Sequence, residues 1–372
     1  MELYALILSH FAPRTFNYPL ERSEHRDLVR IALVCRYFCA TALPWIFHTL
    51  CWPYEGNAMT TLCQGLVQKV PAAEAMASLV RKATVFYKPM KKTPTTEAFI
   101  RLHLNGVFRM KELQSLTLVN ISPKKRVSSI LEGLSNLSTL ELLYCVSVEH
   151  GEKELIALPP TLKVLRMVGG RWPALVDSVD LHVLRELVTN NEDLLRRIQS
   201  EEVLRQMESL VWCGPSGLME PSLLDRMPNL KKLCYNYDWQ ETGTRCDFDF
   251  GSACLLLEEV CIPLDLVWRF NLSGRRLSRL AIATARHHTP PSFSLQIENV
   301  NIYSAGIVSL NIPHTCYTAW KCATDFPNLQ SLEITNVDPP NFDGTRSPLF
   351  SPSLLDEVCH LSVLSQTTHI YC

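Results

Sequence analysis

Nine residues, Leu137-Ser-Thr-Leu-Glu-Leu-Leu-Tyr-Cys145, set the frame L-x-x-L-x-L-x-x-C, and that frame returns along most of the chain. It recurs at Leu329-Gln-Ser-Leu-Glu-Ile-Thr-Asn-Val337 and through Leu113, Leu116, Leu118 and Ile121. Leu162, Leu165 and Met167 fit it behind Leu158-Pro159-Pro160, and weaker copies begin at Leu184, Met207, Leu230, Leu257 and Leu277. From 113 to 277 the starts are separated by 20 to 27 residues. Val80 to Val85 reads as an irregular first copy, with Ile307 to Ile312 and the residues from Leu355 as late ones.

That spacing is the leucine-rich-repeat period. The x-L-x-L-x stretch has period two, so it predicts a short strand with both leucines inward. The rest of each unit returns the chain by a helix or an irregular turn. One unit cannot bury its own apolar face, so units must stack. Amphipathic helices are the competing reading, because L-x-x-L also fits a helical face. Met227-Pro228-Asn229, Phe326-Pro327-Asn328 and Leu158-Pro159-Pro160 oppose it, since proline just ahead of each copy stops a helix there. The expected fold is therefore α/β: an irregular leucine-rich-repeat solenoid over residues 53–372, behind a short all-helical segment at 1–52.

In such a solenoid the non-leucine strand positions face the concave side. They include Ser115, Thr117, Thr139, Glu141, Val164, Arg166, Ser209, Val211, Lys232, Cys234, Glu259, Ser331 and Glu333. Thr117, Glu141, Arg166, Val211, Lys232, Glu259 and Glu333 are the candidates for contacting a protein substrate, against the plainer reading of solvated strand residues.

Composition removes several other functions. The chain has 372 residues, 47% of them apolar and 20% charged, which suits a folded protein with a large core. A net charge of −1 gives no basic excess for nucleic acid. No apolar run reaches membrane-spanning length, and Met1 to Phe11, with Glu2 and no basic leader, reads as structure rather than as a secretion signal. There are 14 cysteines but no C-x-x-C, and Cys145, Cys234 and Cys261 sit inside apolar runs. Reduced thiols of a cytoplasmic or nuclear protein are expected, despite glycosylation-like triplets at Asn120, Asn136 and Asn271.

The first fifty residues do not carry the repeat. Glu2 to Phe11 predicts a short helix with Leu3, Leu6, Ile7 and Phe11 on one side. Asp27 is placed to cap a second helix with Leu28, Ile31, Ala32, Cys35, Phe38, Cys39 and Ala42 at three- and four-residue spacing, ended by Leu43-Pro44 before the apolar turn Trp45-Ile46-Phe47. Glu2-Leu-Tyr-Ala-Leu-Ile-Leu-Ser-His-Phe11, then Leu28 to Phe38, resembles an F-box, most tellingly in Leu33-Val34-Cys35-Arg36-Tyr37-Phe38. The continuation Ala42-Leu-Pro-Trp-Ile-Phe47 resembles the divergent F-box proteins of fungi, which commonly carry irregular leucine-rich repeats. The family opens with Leu-Pro ahead of its first helix, and this chain starts inside that helix; the stretch from Ala12 to Arg26 is longer than the family's turn.

The resemblance implies a substrate receptor of a cullin-RING ubiquitin ligase. The F-box would dock on the SKP-type linker protein through Leu3, Ile7, Phe11, Val34 and Phe38, and the repeats would hold an unidentified protein substrate. Cys35 belongs to the same run, but its plainer role is to hold the helices together. The alternative is a repeat scaffold without a ubiquitin role, its helices capping the solenoid. An enzyme needs a convergent polar site, and none is found. There is no phosphate-binding glycine loop, no H-E-x-x-H and no G-x-S-x-G; Gly169-Gly170 follows a repeat strand and His287-His288 reads as a loop. No catalytic residue, cofactor or metal is expected.

Overall fold

The computed structural model describes residues 22–52, 57–86, 94–121, 131, 133–145, 158–169, 177–213, 221–235, 248–249, 254–263, 270–271, 276–283, 304–313, 325–335 and 367–371. The chain forms two compact units, Met1–Leu184 and Arg185–Cys372. Both are built from repeats that each contribute one short strand to a parallel sheet, the leucine-rich-repeat solenoid architecture.

The first unit begins with α1 (Arg22–Ala32) and α2 (Arg36–His48). The single helix expected over Leu28 to Ala42 is thus two. Leu33 N–H is shared between the Val29 and Arg30 carbonyls and Val34 N–H reaches Ile31, which tightens and ends the first helix. Cys35 is extended, with φ −161° and ψ 169°, and starts the second. The apolar spacing survives because the helices fold onto each other, burying Leu28 against Ala42 and Ile46. Asp27 is not a cap; it lies within α1 and pairs with Arg30 at 3.4 Å. Pro44 does not end α2 either but sits inside it, and Trp45-Ile46-Phe47 continues the same helix. Its missing N–H removes one helical bond, and the buried Ala42 and Ile46 on either side hold the turn.

Helix α2 runs into β1 (Thr49–Trp52), and α3 (Asn57–Val67) and α4 (Pro71–Ala77) follow before β2 (Lys82–Phe86). Helix α5 (Pro94–Val107) leads to β3 (Ser115–Val119), β4 (Thr139–Leu143) and β5 (Val164–Val168). These strands pair in parallel in chain order, with Lys82, Ser115, Thr139 and Val164 in one register row and Thr84, Thr117, Glu141 and Arg166 in the next. Leu116, Leu118, Leu140, Leu142, Leu165 and Met167 alternate inward and are fully buried.

In the second unit β6 (Glu186–Thr189), β7 (Ser209–Trp212), β8 (Lys232–Tyr235), β10 (Glu259–Pro263), β12 (Arg279–Ala283), β13 (Ser309–Pro313) and β14 (Ser331–Thr335) carry the same pattern. Each strand for which the pairing is described is parallel to the next. Helices α6 (Glu192–Ser200) and α7 (Pro221–Asp225) return the chain, and α6 is capped by Asn191, whose Oδ1 accepts from Leu194 N–H at 3.0 Å. Strands β9 (Phe248–Asp249) and β11 (Phe270–Asn271) form a separate short pair. Strand β15 (Thr367–Tyr371) lies antiparallel on β14, unlike the other described pairings; Leu355, the start expected for a late copy, lies outside the described residues.

A tight turn, not a helix, leads into each frame, and the L-x-x-L residues run extended into the strand. Leu113, Leu137, Leu162, Met207, Leu230, Leu257 and Leu329 each donate from N–H to the carbonyl three residues earlier. The asparagine of the prelude ties neighbouring repeats: Asn136, Asn229 and Asn328 donate from Nδ2 to the carbonyls of Lys111, Arg205 and Ala305 at 3.1, 2.8 and 2.8 Å. Past β3, β4 and β5 the chain turns through left-handed backbone at Asn120, Tyr144 and Gly169. Gly169 has φ 71°, and a Cβ there would meet the Tyr144 ring at 2.4 Å.

Gly169→Ala is expected to lower stability by about 1–3 kcal/mol, from the left-handed backbone and the clash together, read as a lowered urea midpoint with unchanged slope. A second prediction concerns His103, buried between α3 and α5. The Thr60 hydroxyl lies 3.4 Å from its Nε2 and the Phe99 ring packs edge-on at 3.9 Å. Burial pushes its pKa down from 6.5 to about 4. Above 6.5 both folded and unfolded chains hold it neutral; below that, the unfolded chain binds a proton that the folded chain refuses until about pH 4. Stability should therefore fall across this window as the solution is acidified, and urea titrations of His103→Leu should show a shallower fall than the wild type.

Candidate functional site

In each unit the sheet face opposite the leucine core is a surface on which the described strands present side chains in register. Successive strand residues point to opposite faces, so the residues flanking the inward leucines line up in rows across the strands.

In the first unit the middle row is Thr84, Thr117, Glu141 and Arg166. Glu141 joins it: Thr117 Oγ1 donates to Glu141 Oε2 at 2.9 Å and Arg166 Nη1 donates to Oε1 at 2.7 Å. Arg166 and Glu141 form a charge-assisted pair, both largely shielded from water. Lys82 stands in the row beside it; burial lowers its pKa while the Glu141 charge opposes that shift. His48, Arg81 and Lys82 gather at the start of β1 and β2, and burial followed by the Lys82 and Arg81 charges lowers the His48 pKa. Burial raises the Cys51 thiol. On the other side of the acidic and basic row lie the apolar Phe86, Val119, Leu143 and Val168, in register.

The second unit keeps this order but shifts it one row toward the strand starts. Its middle row is Val188, Val211, Cys234, Cys261 and Ala281, all buried, followed by Asn311 and Glu333. Its outer row carries the charges: Glu186, Lys232, Glu259 and Arg279. Lys232 pairs with Glu259 at 3.5 Å, and Asn311 Nδ2 donates to Glu333 Oε2 at 2.8 Å.

All seven predicted face residues therefore lie on strand positions of the sheet. Thr117, Glu141 and Arg166 are brought into one cluster and Lys232 and Glu259 into a pair, while Val211 belongs to the apolar row and Glu333 to the pair with Asn311. Lys82, Thr84, Arg279 and Asn311 were not anticipated. Their repeats lack the clear consensus, and only the register of neighbouring strands identifies them.

Of the residues assigned to the helical segment, Leu3, Ile7 and Phe11 lie outside the described residues. Val34 projects from the turn between α1 and α2, 68% exposed beside Leu33 at 81%. Phe38 is half-buried at the start of α2, edge-on to Tyr37 with ring centroids 5.9 Å apart. Cys35 does not hold the helices together: it is exposed, because it forms the extended link between them.

Among the described residues no group of three His, Cys, Asp or Glu side chains is placed to hold a metal, and no helix is long and apolar enough to cross a membrane. No family model matches the chain, and no curated protein matches it. Thirty-eight chains of solved structures do. One is a TLR13–ssRNA13 complex at 14% identity and a TM-score of 0.33, covering 79% of this chain and 51% of that one. The chain thus spans about half the length of that structure.

Removing the carboxylate by Glu141→Ala leaves Arg166 without its partner. It is expected to cost about 1.5–3 kcal/mol, the range for hydrogen bonds to charged groups. Arg166→Ala in the same background should cost clearly less than in the wild type, which a double-mutant cycle in urea will read as coupling.

Proposed function

We propose that the protein is a non-catalytic substrate receptor. Its repeat face holds a protein partner, and the α1–α2 segment docks on the SKP-type linker of a cullin-RING ubiquitin ligase. The observation that carries the reading is the exposure of Leu33 and Val34 at the tip of the α1–α2 turn. They stand in the run Leu33-Val34-Cys35-Arg36-Tyr37-Phe38, which resembles the F-box. Adjacent apolar side chains this open gain about 25 cal/mol for each Å² that a partner covers. On the sheet face, Glu141 and Arg166 sit beside an apolar row, the mixture of fixed polar anchors and apolar area that protein interfaces use. The protein would supply binding, and other subunits would carry the transfer chemistry.

A second reading has its own support. Helix α2 runs directly into β1, and β1 pairs with β2, so the helices are continuous with the end strand of the first unit's sheet. That suits a cap on a scaffold that has no ligase role. The two readings part on one experiment. Because Leu33 and Val34 bury little, Leu33→Asp/Val34→Asp should keep the wild-type circular dichroism and melting temperature. If the segment docks on the linker, the wild type binds purified SKP-type linker and the folded variant loses at least tenfold in affinity, about 1.4 kcal/mol. Failure of the folded wild type to bind would leave the capped scaffold.

A further inference from the structure

Two thiols meet on the outward face of the second unit. Cys234 of β8 and Cys261 of β10 are register partners on adjacent parallel strands. The inward neighbours Leu233 and Tyr235 on one strand, and Val260 and Ile262 on the other, fill the core, so both cysteines point to the opposite face. Each thiol shifts the other's pKa, and neither is in a disulfide. Adjacent strands lie about 4.7–4.9 Å apart, inside the Cα separation that a disulfide spans.

We propose that Cys234 and Cys261 form an oxidisable dithiol, which a peroxide closes to a disulfide between two successive repeats. Two other buried thiols are engaged differently. Cys145 Sγ donates to the Leu118 carbonyl at 3.2 Å, and Cys254 Sγ to those of Leu224 and Met227 at 3.5 and 3.6 Å. A carbonyl accepts from the S–H and so favours the protonated, unreactive form; burial pushes Cys145 up to about 12. In the pair, the two sulfurs face each other across adjacent strands and no carbonyl bond is described for either. The Cys261 thiol lowers the Cys234 pKa, helped by the Lys232 charge, while Cys261 itself is raised. Lys232 stands two positions before Cys234 on the same strand face and Glu259 two before Cys261, so Cys234 is the nucleophile and Cys261 the resolving thiol. They are 7% and 6% exposed, which admits a molecule the size of hydrogen peroxide before a bulky reagent.

The chemistry balances. The Cys234 thiolate attacks one oxygen of hydrogen peroxide and the O–O bond breaks; hydroxide leaves and takes a proton as water, giving the sulfenic acid. Cys261 sulfur then attacks the Cys234 sulfur, the S–O bond breaks, and the hydroxyl leaves with the Cys261 proton as a second water. Two thiols supply two electrons, and the peroxide is reduced to two waters. The bond would stand in the row that carries Val211, beside Lys232 and Glu259, so it falls on the candidate partner face without depending on what binds there.

The test uses the full chain, treated with hydrogen peroxide, blocked with an alkylating reagent in denaturant and digested with trypsin. The expected product is the peptide beginning at Leu233 joined to the peptide beginning at Cys246, with fragmentation placing the link at Cys261 rather than Cys246 or Cys254. It should disappear on reduction, persist in Cys254→Ser and be absent in Cys261→Ser. Mapping in the wild type stands even if Cys261→Ser fails to fold. Alkylated Cys234 alongside oxidised surface thiols, or a link placed at Cys246 or Cys254, overturns the proposal.

Discussion

One carbonyl per repeat sets the register of everything else. The carbonyl just ahead of each strand accepts from two successive N–H groups of the next repeat: Arg81 from Gln114 and Ser115, Gln114 from Ser138 and Thr139, Ser138 from Lys163 and Val164. The second unit repeats the device at Arg185, Glu208, Lys231, Glu258, Ser278 and Val308. A slip of one residue would turn every inward leucine outward. The shared acceptor opposes it before the strand begins, and the tight turn in front delivers the chain to it. The prelude asparagines add a side-chain tie at the same end. The leucine core supplies the driving force, and this ladder decides which residues share it.

Because the register is fixed, the outward rows are fixed too, and their chemistry follows from which residue types fall on them. In the first unit the middle row is polar and internally satisfied, with Glu141 holding both Thr117 and Arg166. In the second the same row is aliphatic and sulfur-bearing, and the charges move one row toward the strand starts. Each unit thus offers polar and apolar bands side by side, in the same order along the strands but offset by one row. A carboxylate already held by two donors is rigid, so little ordering entropy remains to oppose an incoming partner.

Much of the repeat was legible because its signal is strict. The frame through Leu113, Leu137, Leu162, Met207, Leu230 and Leu257 placed each strand, since period-two leucines behind a proline or a turn have one low-energy solution. The helical segment was read less well for the opposite reason. Three- and four-residue spacing from Leu28 to Ala42 is satisfied equally by one long helix and by two short ones packed together, and the break at Leu33 to Cys35 has no glycine or proline to mark it. Pro44 misled in the other direction, because packing by Ala42 and Ile46 outweighs the one hydrogen bond it removes. Helices α3, α4 and α5 left no repeat to detect. The partnerships of Glu141 with Arg166 and of Cys234 with Cys261 were out of reach, as they join residues 25 and 27 positions apart that only strand register brings together.

The same register explains why chemistry on this fold concentrates between repeats instead of within one. A strand of four or five residues gives each repeat only two or three outward side chains, too few for a site. Stacking places side chains of equal index next to each other, so any two repeats that carry complementary groups at one index create a pair without further design. Thr117 with Glu141, Glu141 with Arg166, Lys232 with Glu259, Cys234 with Cys261 and Asn311 with Glu333 all arise this way. Such pairs tolerate drift in repeat length, because loops absorb insertions while the strand index is preserved. A chain whose described repeats vary from 20 to 33 residues can therefore keep an ordered recognition face.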